Sequence, residues 1–440
     1  MKYSLIPQVS REVFIQLLLP TFFVHLTRGL LVSTLPLLIL EYLNRSKMDV
    51  GFAVGAIGLG KIIGDIPWGF LLGRIGAKNL MIISGAVISL SACLSWVAVS
   101  LTSSFWFLVM AMLVYGLGQG AGVLSRMAMI SERIPKSERG RVSALLGGSQ
   151  RLAMAIGPAL GGLLMSFSLS ALFMGQAISA LGSVVIVFIT KRTLADYPGA
   201  VDFDSSTAAS RKTRHTGGTS LSRPEIISLI DISIFVMGIQ TIRECRKLVI
   251  PLAGSDIGMS DDDIGWYTSV SYAIDAILFS TAGMLMDTFG RNFAGCISVS
   301  LMVLAQLVAV PGISPSILLM NGVISGIGNG LSSGILTAYG ADLAPSRSPE
   351  SKAEFLSYFR LMGDVGEFVG PIVIGIIAQF NTMATLVNVV STFSLTCSFW
   401  LLWRIPEPLR EDRGEQTTTN QIFYMTPEEF GITSREETIK

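Results

Sequence analysis

Charge is scarce in this 440-residue chain. Only 14% of its residues are Asp, Glu, Lys or Arg, whereas soluble chains average about 25%. Half of the residues are hydrophobic and mean hydropathy is +0.60, which excludes a disordered segment or an ordinary soluble globule. The charges that exist nearly cancel, 32 Lys and Arg against 31 Asp and Glu, so no bulk field draws in nucleic acid or another polyanion. Cysteine is scarce as well. Cys93, Cys245, Cys296 and Cys397 are scattered, and they offer neither a disulfide framework nor a CxxC metal site. With two histidines in the whole chain, no metal site and no cofactor are expected. Residues 1–10 lack a short apolar core ending in a small-residue cleavage site, so the first hydrophobic segment is expected to remain as a membrane anchor. The run from Gly55 to Lys61 imitates a phosphate-binding loop. Ile62 stands where Ser or Thr is required, however, and no strand precedes it, so ATP is not an expected partner.

What the chain has in quantity is long uncharged runs. A membrane crossing takes about 20 apolar residues. Asn79 to Ser125 is 47 residues without a charge, with a polar turn at residues 100–104; Asn292 to Ala341 is 50, interrupted by Pro311 and Pro315. Prolines at that spacing stop a helix, and each run reads as a hairpin of two helices. Leu152 to Thr190 and Phe368 to Trp403 behave alike. Four further segments, near 13–43, 51–73, 226–253 and 264–286, span despite carrying charges. The expected fold is an all-α membrane protein of twelve transmembrane helices.

Lys and Arg distribution sets the expected orientation. One set of connections holds fifteen, including Arg74, Lys78, Arg139, Arg141, Arg291 and Lys352; the other holds only Arg45 and Lys47. Both termini are therefore expected in the cytoplasm. The boundaries follow: a six-helix bundle over 1–190, a cytoplasmic linker over 191–223 that is basic and rich in Ser, Thr and Gly, a second bundle over 224–405, and a cytoplasmic tail over 406–440. Asn44-Arg45-Ser46 is a glycosylation sequon on the outer side.

The two halves repeat. Arg28 with Pro36 recurs as Arg243 with Pro251, Gly69 and Gly76 as Gly283 and Gly290, Gly116 to Gly120 as Gly326 to Gly330, and Gly157-Pro158 as Gly370-Pro371. The offsets stay between 210 and 215 residues. Six helices per copy is an even number, so the copies run in the same direction about an axis along the membrane normal. Transporters built this way hold their site at the midplane between the halves.

On these marks the chain resembles the major facilitator superfamily over roughly residues 10–405. The family's G-x-L-x-D-R-x-G-R-K loop is matched by Gly69, Leu71, Arg74, Gly76 and Lys78, with Gly73 in place of the aspartate. Its counterpart keeps the acid, in Gly283, Leu285, Asp287, Gly290 and Arg291. The resemblance implies that Asp287 and Arg291 latch helix ends across the halves. Gly157, Pro158, Gly161 and Gly162 are similar to the G-P-x-x-G-G signature of the drug:proton antiporter branch, which implies export. That branch's R-x-x-Q-G pattern is half present, since Gln119 and Gly120 match while Gly116 replaces the arginine; Arg126 is a candidate substitute.

Charges inside the membrane are costly and need a partner or a polar cavity. Arg28 and Arg243 occupy equivalent positions on helices 1 and 7. Either they meet across the cavity and clamp an anionic group, as in the organophosphate:phosphate antiporters that this pair resembles, or each pairs with an acid such as Glu244, Asp65 or Asp275. Gln240, Arg243, Glu244 and Lys247 share one helical face, leaving Arg246 to point elsewhere, and Lys61 and Asp65 are spaced to neutralise each other. Gln240 and Lys247 join the two arginines as substrate-binding candidates, with an extracellular gate as the alternative role. Asp275, Asp65, Asp364 and Glu367 are the candidate proton carriers, because a desolvated carboxyl beside a cation can switch protonation with conformation. Arg360, Asp364 and Glu367 form either a coupling triad or a structural network; Arg151 and Asp364, each six residues before a Gly-Pro, are a candidate lock between the halves. The function expected is secondary active transport of a small organic solute by alternating access, coupled to protons and directed to efflux. Exchange of organic anions or phosphate and proton symport are the alternatives within transport, and a non-transporting receptor is the alternative outside it. A functional monomer in the lipid bilayer is expected, and no enzymatic activity.

Overall fold

The computed structural model describes residues 13–134, 139–190, 221–345, 349–405 and 407, and every regular element among them is helical. The expected linker over 191–223 lies outside the described residues except for 221–223, and so does the tail except for Glu407. Twelve helical segments are present among the described residues. They are α1 (Phe14–Tyr42), α2 (47–75), α3 (77–101), α4 (Phe105–Arg133), α5 (Arg139–Phe167), α6 (Leu169–Ile189), α7 (Arg223–Asp256), α8 (Asp261–Phe289), α9 (Arg291–Val308), α10 (315–343), α11 (Pro349–Phe380) and α12 (Met383–Arg404). Several helices outrun their apolar stretches because polar residues cap them. Ser46 and Asp49 form a capping box at the start of α2, and Ser222 and Glu225 do so at α7.

The helices form two six-helix bundles, α1–α6 and α7–α12, whose equivalence is visible in detail. Gly76 turns α2 into α3 with φ 79° and ψ 165°; Gly290 turns α8 into α9 with φ 101° and ψ 162°. Only glycine adopts this backbone freely. Glu407, just past α12, then accepts from the amides of Arg291 and Asn292 at 2.6 and 2.8 Å and caps α9. Inside the bundles, Ser84 donates to the Gly118 carbonyl at 2.7 Å, and its counterpart Ser298 donates to the Gly328 carbonyl at 2.6 Å. The repeated glycines of α4 and α10 thus serve close helix packing. One element breaks the pattern. α10 is interrupted after Leu331 by Ser332, Ser333 and Gly334, the last at φ 81°, before it resumes at Ile335.

One end of the molecule carries the short turns at 43–46, 102–104, 168, 257–260, 309–314 and 381–382; the other carries the basic connections. Near the short-loop end the two halves meet through glycine. α2 presents Gly51, Gly55 and Gly58 to the backbone of α11 at Glu367, Phe368, Pro371 and Gly375; α5 presents Pro158 and Gly162 to Asp261 and Gly265 of α8. The Pro158 carbonyl faces Gly265 and the Pro371 carbonyl faces Gly51, so the two seams are copies of each other. The Ala159 amide donates to Ser269 Oγ at 2.7 Å across the second seam. Polar latches close this end further: Lys47 Nζ to Asp256 at 2.5 Å, the Lys47 amide to Gln379 at 3.0 Å, and Ser255 to Glu41 at 2.8 Å. Toward the basic end the motif glycines Gly69, Gly73 and Gly283 have nothing within 4 Å of where a side chain would start. The outer surface is apolar, with Phe70, Phe167, Phe188 and Phe380 all largely exposed, as a bilayer requires.

Candidate functional site

Besides the Lys47–Asp256 latch, three ion-pair nodes among the described residues cross between the halves. In the first, Glu367 of α11 accepts from Arg28 of α1 at 2.6 Å and from Lys61 of α2 at 2.7 Å. The approach of α2 to α11 at Gly58 sets this up: a side chain there would stand 2.7 Å from the Phe368 amide nitrogen and 3.0 Å from the Glu367 carbonyl carbon. Lys61, one turn on, then reaches the carboxylate. Arg28, Glu367, Tyr115, Glu244 and Lys247 line a cleft of about 50 Å³ with apolar walls from Leu31, Leu35 and Leu248. That volume holds a few waters and no organic solute. Lys247 pairs with Glu244 on its own helix.

The second node lies between α5 and the C-terminal half. Asp275 of α8 receives Arg151 of α5 at 3.4 Å, Arg246 of α7 at 3.4 Å and Asn329 of α10 at 2.6 Å. Arg246 also donates to Ser271, with the Tyr272 ring under its guanidinium at 4.5 Å. Arg151 donates to Ser333 and stacks on Phe279 at 4.2 Å. Arg243 donates to the adjacent Ser332, at 3.0 Å to the hydroxyl and 3.3 Å to the carbonyl, and to Gln240 at 3.2 Å. The third node joins Arg360 of α11 to Asp65 of α2 at 3.2 Å, with Asp364 at 3.7 Å. Arg126 in α4 is buried without a hydrogen bond at Nη1. Among the described residues no group of three or more His, Cys, Asp or Glu side chains is placed to hold a metal ion.

Several expectations are corrected by these contacts. Arg28 and Arg243 do not converge on one point: the first belongs to the Glu367 node and the second to the break in α10. Lys61 and Asp65 do not neutralise each other, because each finds an α11 partner, Glu367 and Arg360. Arg151 pairs with Asp275 and not with Asp364. Arg291 binds Asp287 at 2.8 Å and Asp342 at 3.1 Å, both of them residues of the C-terminal half. Arg246 does point away from the Gln240–Lys247 face, as the helical spacing requires. The signature glycines Gly157 and Gly161 pack on Gly29 and Leu30 of α1, and Gly162 packs on α8. Arg74 is exposed. Sequence reasoning missed Ser332, Ser333 and Asn329. The Ser-Ser-Gly at 332–334 is a turn signal, masked by the uncharged run around it.

Two parallel repeats of six helices, with glycine seams at one end and buried ion pairs bridging the bundles, make the two-bundle architecture on which membrane transporters are built. The chain belongs to the Major Facilitator Superfamily, which it matches over residues 17–243 and again over 226–431. Similar proteins include the inner membrane transport protein YajR of Escherichia coli, 30% identical over 142 residues, and the quinolone resistance protein NorA of Staphylococcus aureus, 26% identical over 133 residues. These matches cover 32% and 30% of this chain, and 30% and 34% of the relatives. The chain therefore spans about a third of the length of the curated relatives it matches. Solved structures of the same fold include the inward open conformation of the xylose transporter XylE from E. coli, with TM-score 0.70 at 13% identity over 90% of this chain and 96% of that one. The nucleoside transporter NupG has TM-score 0.64 at 13% identity over 89% of this chain and 98% of that one.

Proposed function

We propose that this chain is a proton-coupled secondary transporter that exports a small organic solute by alternating access as a monomer, using an ion gradient and no cofactor. The observation that carries the reading is Glu367, a single α11 carboxylate clamped by Arg28 and Lys61 from the opposite half. Ionised, it ties the halves together; protonated, it gives up its charge-assisted bonds and lets them part. On the other seam the charges are reversed: Asp275 of α8, the repeat counterpart of Lys61, is held by Arg151 of α5. Export is supported by the Gly157–Gly162 signature and by similarity to NorA, a quinolone resistance protein.

The test uses purified protein in liposomes with an imposed pH gradient, reading lumenal pH as pooled organic cations, organic anions and sugars are added. Solute-dependent collapse of the gradient is the expected result. Solute flux that ignores the gradient would remove the proton from the mechanism, and exchange of anions alone is the second reading. That second reading is favoured by the surplus of arginine beside Asp275.

The orientation belongs to this reading as well. Both termini, the 191–223 linker and the 406–440 tail are placed in the cytoplasm by the basic connections, with domain boundaries at 190 and 224 and at 405. The glycine-sealed short-loop end then faces outward. Asn44 is exposed at that sealed end. A chain expressed in a glycosylating host should lose mass on treatment with a peptide N-glycosidase, and Asn44→Gln should abolish the shift. A cysteine placed at Asn44 should react with an impermeant maleimide on intact cells, and labelling only after lysis would invert the topology.

A further inference from the structure

We propose that the break in α10 is the floor of an anion-binding site, and that the transported solute carries a compact anionic group such as a carboxylate or phosphate. The inference rests on the reading of the chain as a transporter and not on its coupling ion. Its basis is charge. Arg151 of α5 and Arg246 of α7, from opposite halves, pair with one acid, Asp275, and Arg243 of α7 binds Ser332, next to the Ser333 that receives Arg151. Both ion pairs to that acid are stretched to 3.4 Å, while the neutral Asn329 holds it at 2.6 Å. Among the described residues Arg243 has no acid partner within ion-pair distance. Its acceptors are Gln240 and Ser332, and its Nε has no hydrogen bond.

An uncompensated guanidinium in the middle of a membrane is expensive, and here the surroundings compensate only in part. Phe279 and Tyr272 supply ring faces under Arg151 and Arg246, which offset part of the cost through cation–π attraction. Two further features show a site organised for a ligand. Tyr272, whose ring lies under the Arg246 guanidinium, is 8% exposed, and its hydroxyl has no hydrogen-bond partner among the described residues. The helix that carries the serines is broken at this point: Ser332 and Ser333, side by side, receive Arg243 from the C-terminal half and Arg151 from the N-terminal half. A broken transmembrane helix is tolerated where it lines a polar cavity. The Arg151 side chain is 23% exposed and Arg246 only 4%, so the cluster opens on the Arg151 side.

Guanidinium groups with planar forks suit carboxylate and phosphate oxygens. An anion placed between Arg151 and Arg243 replaces the two serine hydroxyls as their acceptor and supplies the missing charge. Because it touches a residue of each half, it also ties the halves together. The positive surplus disfavours an organic cation here.

The experiment measures thermal unfolding of the purified full chain in detergent, and flux in phosphatidylcholine liposomes free of anionic lipid. The probes are inorganic phosphate, citrate and tetraethylammonium chloride, all at matched ionic strength. Saturable stabilisation by phosphate or citrate, weakened at least tenfold in apparent affinity by Arg243→Gln and by Ser332→Ala, supports the proposal. Ser332→Ala keeps every charge and guards against a variant that merely fails to fold. Stabilisation equal in wild type and both variants, or found only with tetraethylammonium, overturns it. Proton-coupled flux of organic cations without any anion effect also overturns the anion site and leaves the transport reading standing. Anion stabilisation without flux of any solute keeps the site and removes transport. Stabilisation that appears only when anionic lipid is added assigns the cluster to a lipid headgroup and overturns a soluble anionic substrate.

Discussion

Glu367→Gln is expected to cut solute-coupled proton flux at least 100-fold while leaving downhill solute exchange within about tenfold of wild type. The glutamine matches glutamate in volume, so the packing of α2 on α11 at Gly58 is undisturbed, but its single carbonyl oxygen can accept from only one of Arg28 and Lys61, which bind different oxygens of the carboxylate. What disappears is the charge. Removing one partner of a buried ion pair costs about 3–5 kcal/mol, because the cations left behind stay desolvated. That cost falls on the state in which the halves are clamped. A bias of that size moves a two-state equilibrium by about two to four powers of ten, enough to leave the clamped state a minor species. The variant also has no titratable group at this node, so it mimics the permanently protonated carrier. The measurement is the pair of rates in liposomes: proton flux driven by solute, and solute exchange with no pH gradient. Coupled flux within threefold of wild type would show that Glu367 is a structural tie and that the proton travels elsewhere, with Asp275 the next carboxylate to test. Loss of both rates together would place Glu367 in solute binding.

The helical framework was open to reading because each part of it is set by local rules. Uncharged runs fix the crossings, Pro311 and Pro315 fix a turn, and Gly76 and Gly290 are glycines because their φ is positive. Repeat offsets then pair equivalent positions across the halves. They do not say which residue faces which. Lys61 and Asp65 have the spacing of a helical ion pair, yet α11 comes so close at Gly58 that Glu367 reaches Lys61 first. Arg28 and Arg243 are true equivalents by position. Their environments differ because Glu367 follows Gly366 on α11, whereas Met154, its repeat counterpart on α5, carries no charge. The same loss of symmetry leaves Arg243 with serines in place of an acid. The interruption of α10 depends on a Ser-Ser-Gly triplet that a bilayer-length apolar run conceals.

The proposed alternating access depends on the seams parting and closing again, and here sequence and structure agree on where to intervene. Gly51→Val is expected to shift the resting state away from closure at the short-loop end and to slow turnover about tenfold. A side chain at Gly51 would run into the Pro371 carbonyl and stand 3.1 Å from the Gly375 Cα and 3.2 Å from the Ile372 Cα. These are backbone atoms, and no rotamer change relieves the clash. Forcing extra carbon into such an interface costs about 1–3 kcal/mol, charged only to the state in which α2 and α11 touch. That corresponds to roughly a 5- to 150-fold change in population. Spin labels on cysteines at Asn44 and Asn381, in a background with the four native cysteines replaced by serine, read the separation of the halves at that end. The distance distribution in Gly51→Val should broaden toward longer values. Gly265→Val, whose side chain would meet the Pro158 carbonyl on the other seam, should do the same, because the two contacts are equivalent. An unchanged distribution in both variants, with unchanged flux, would mean that closure at this end is carried by Lys47, Asp256 and the other polar latches and not by the glycine seams. A change in one variant alone would show that the halves pivot about a single seam, with the other passive.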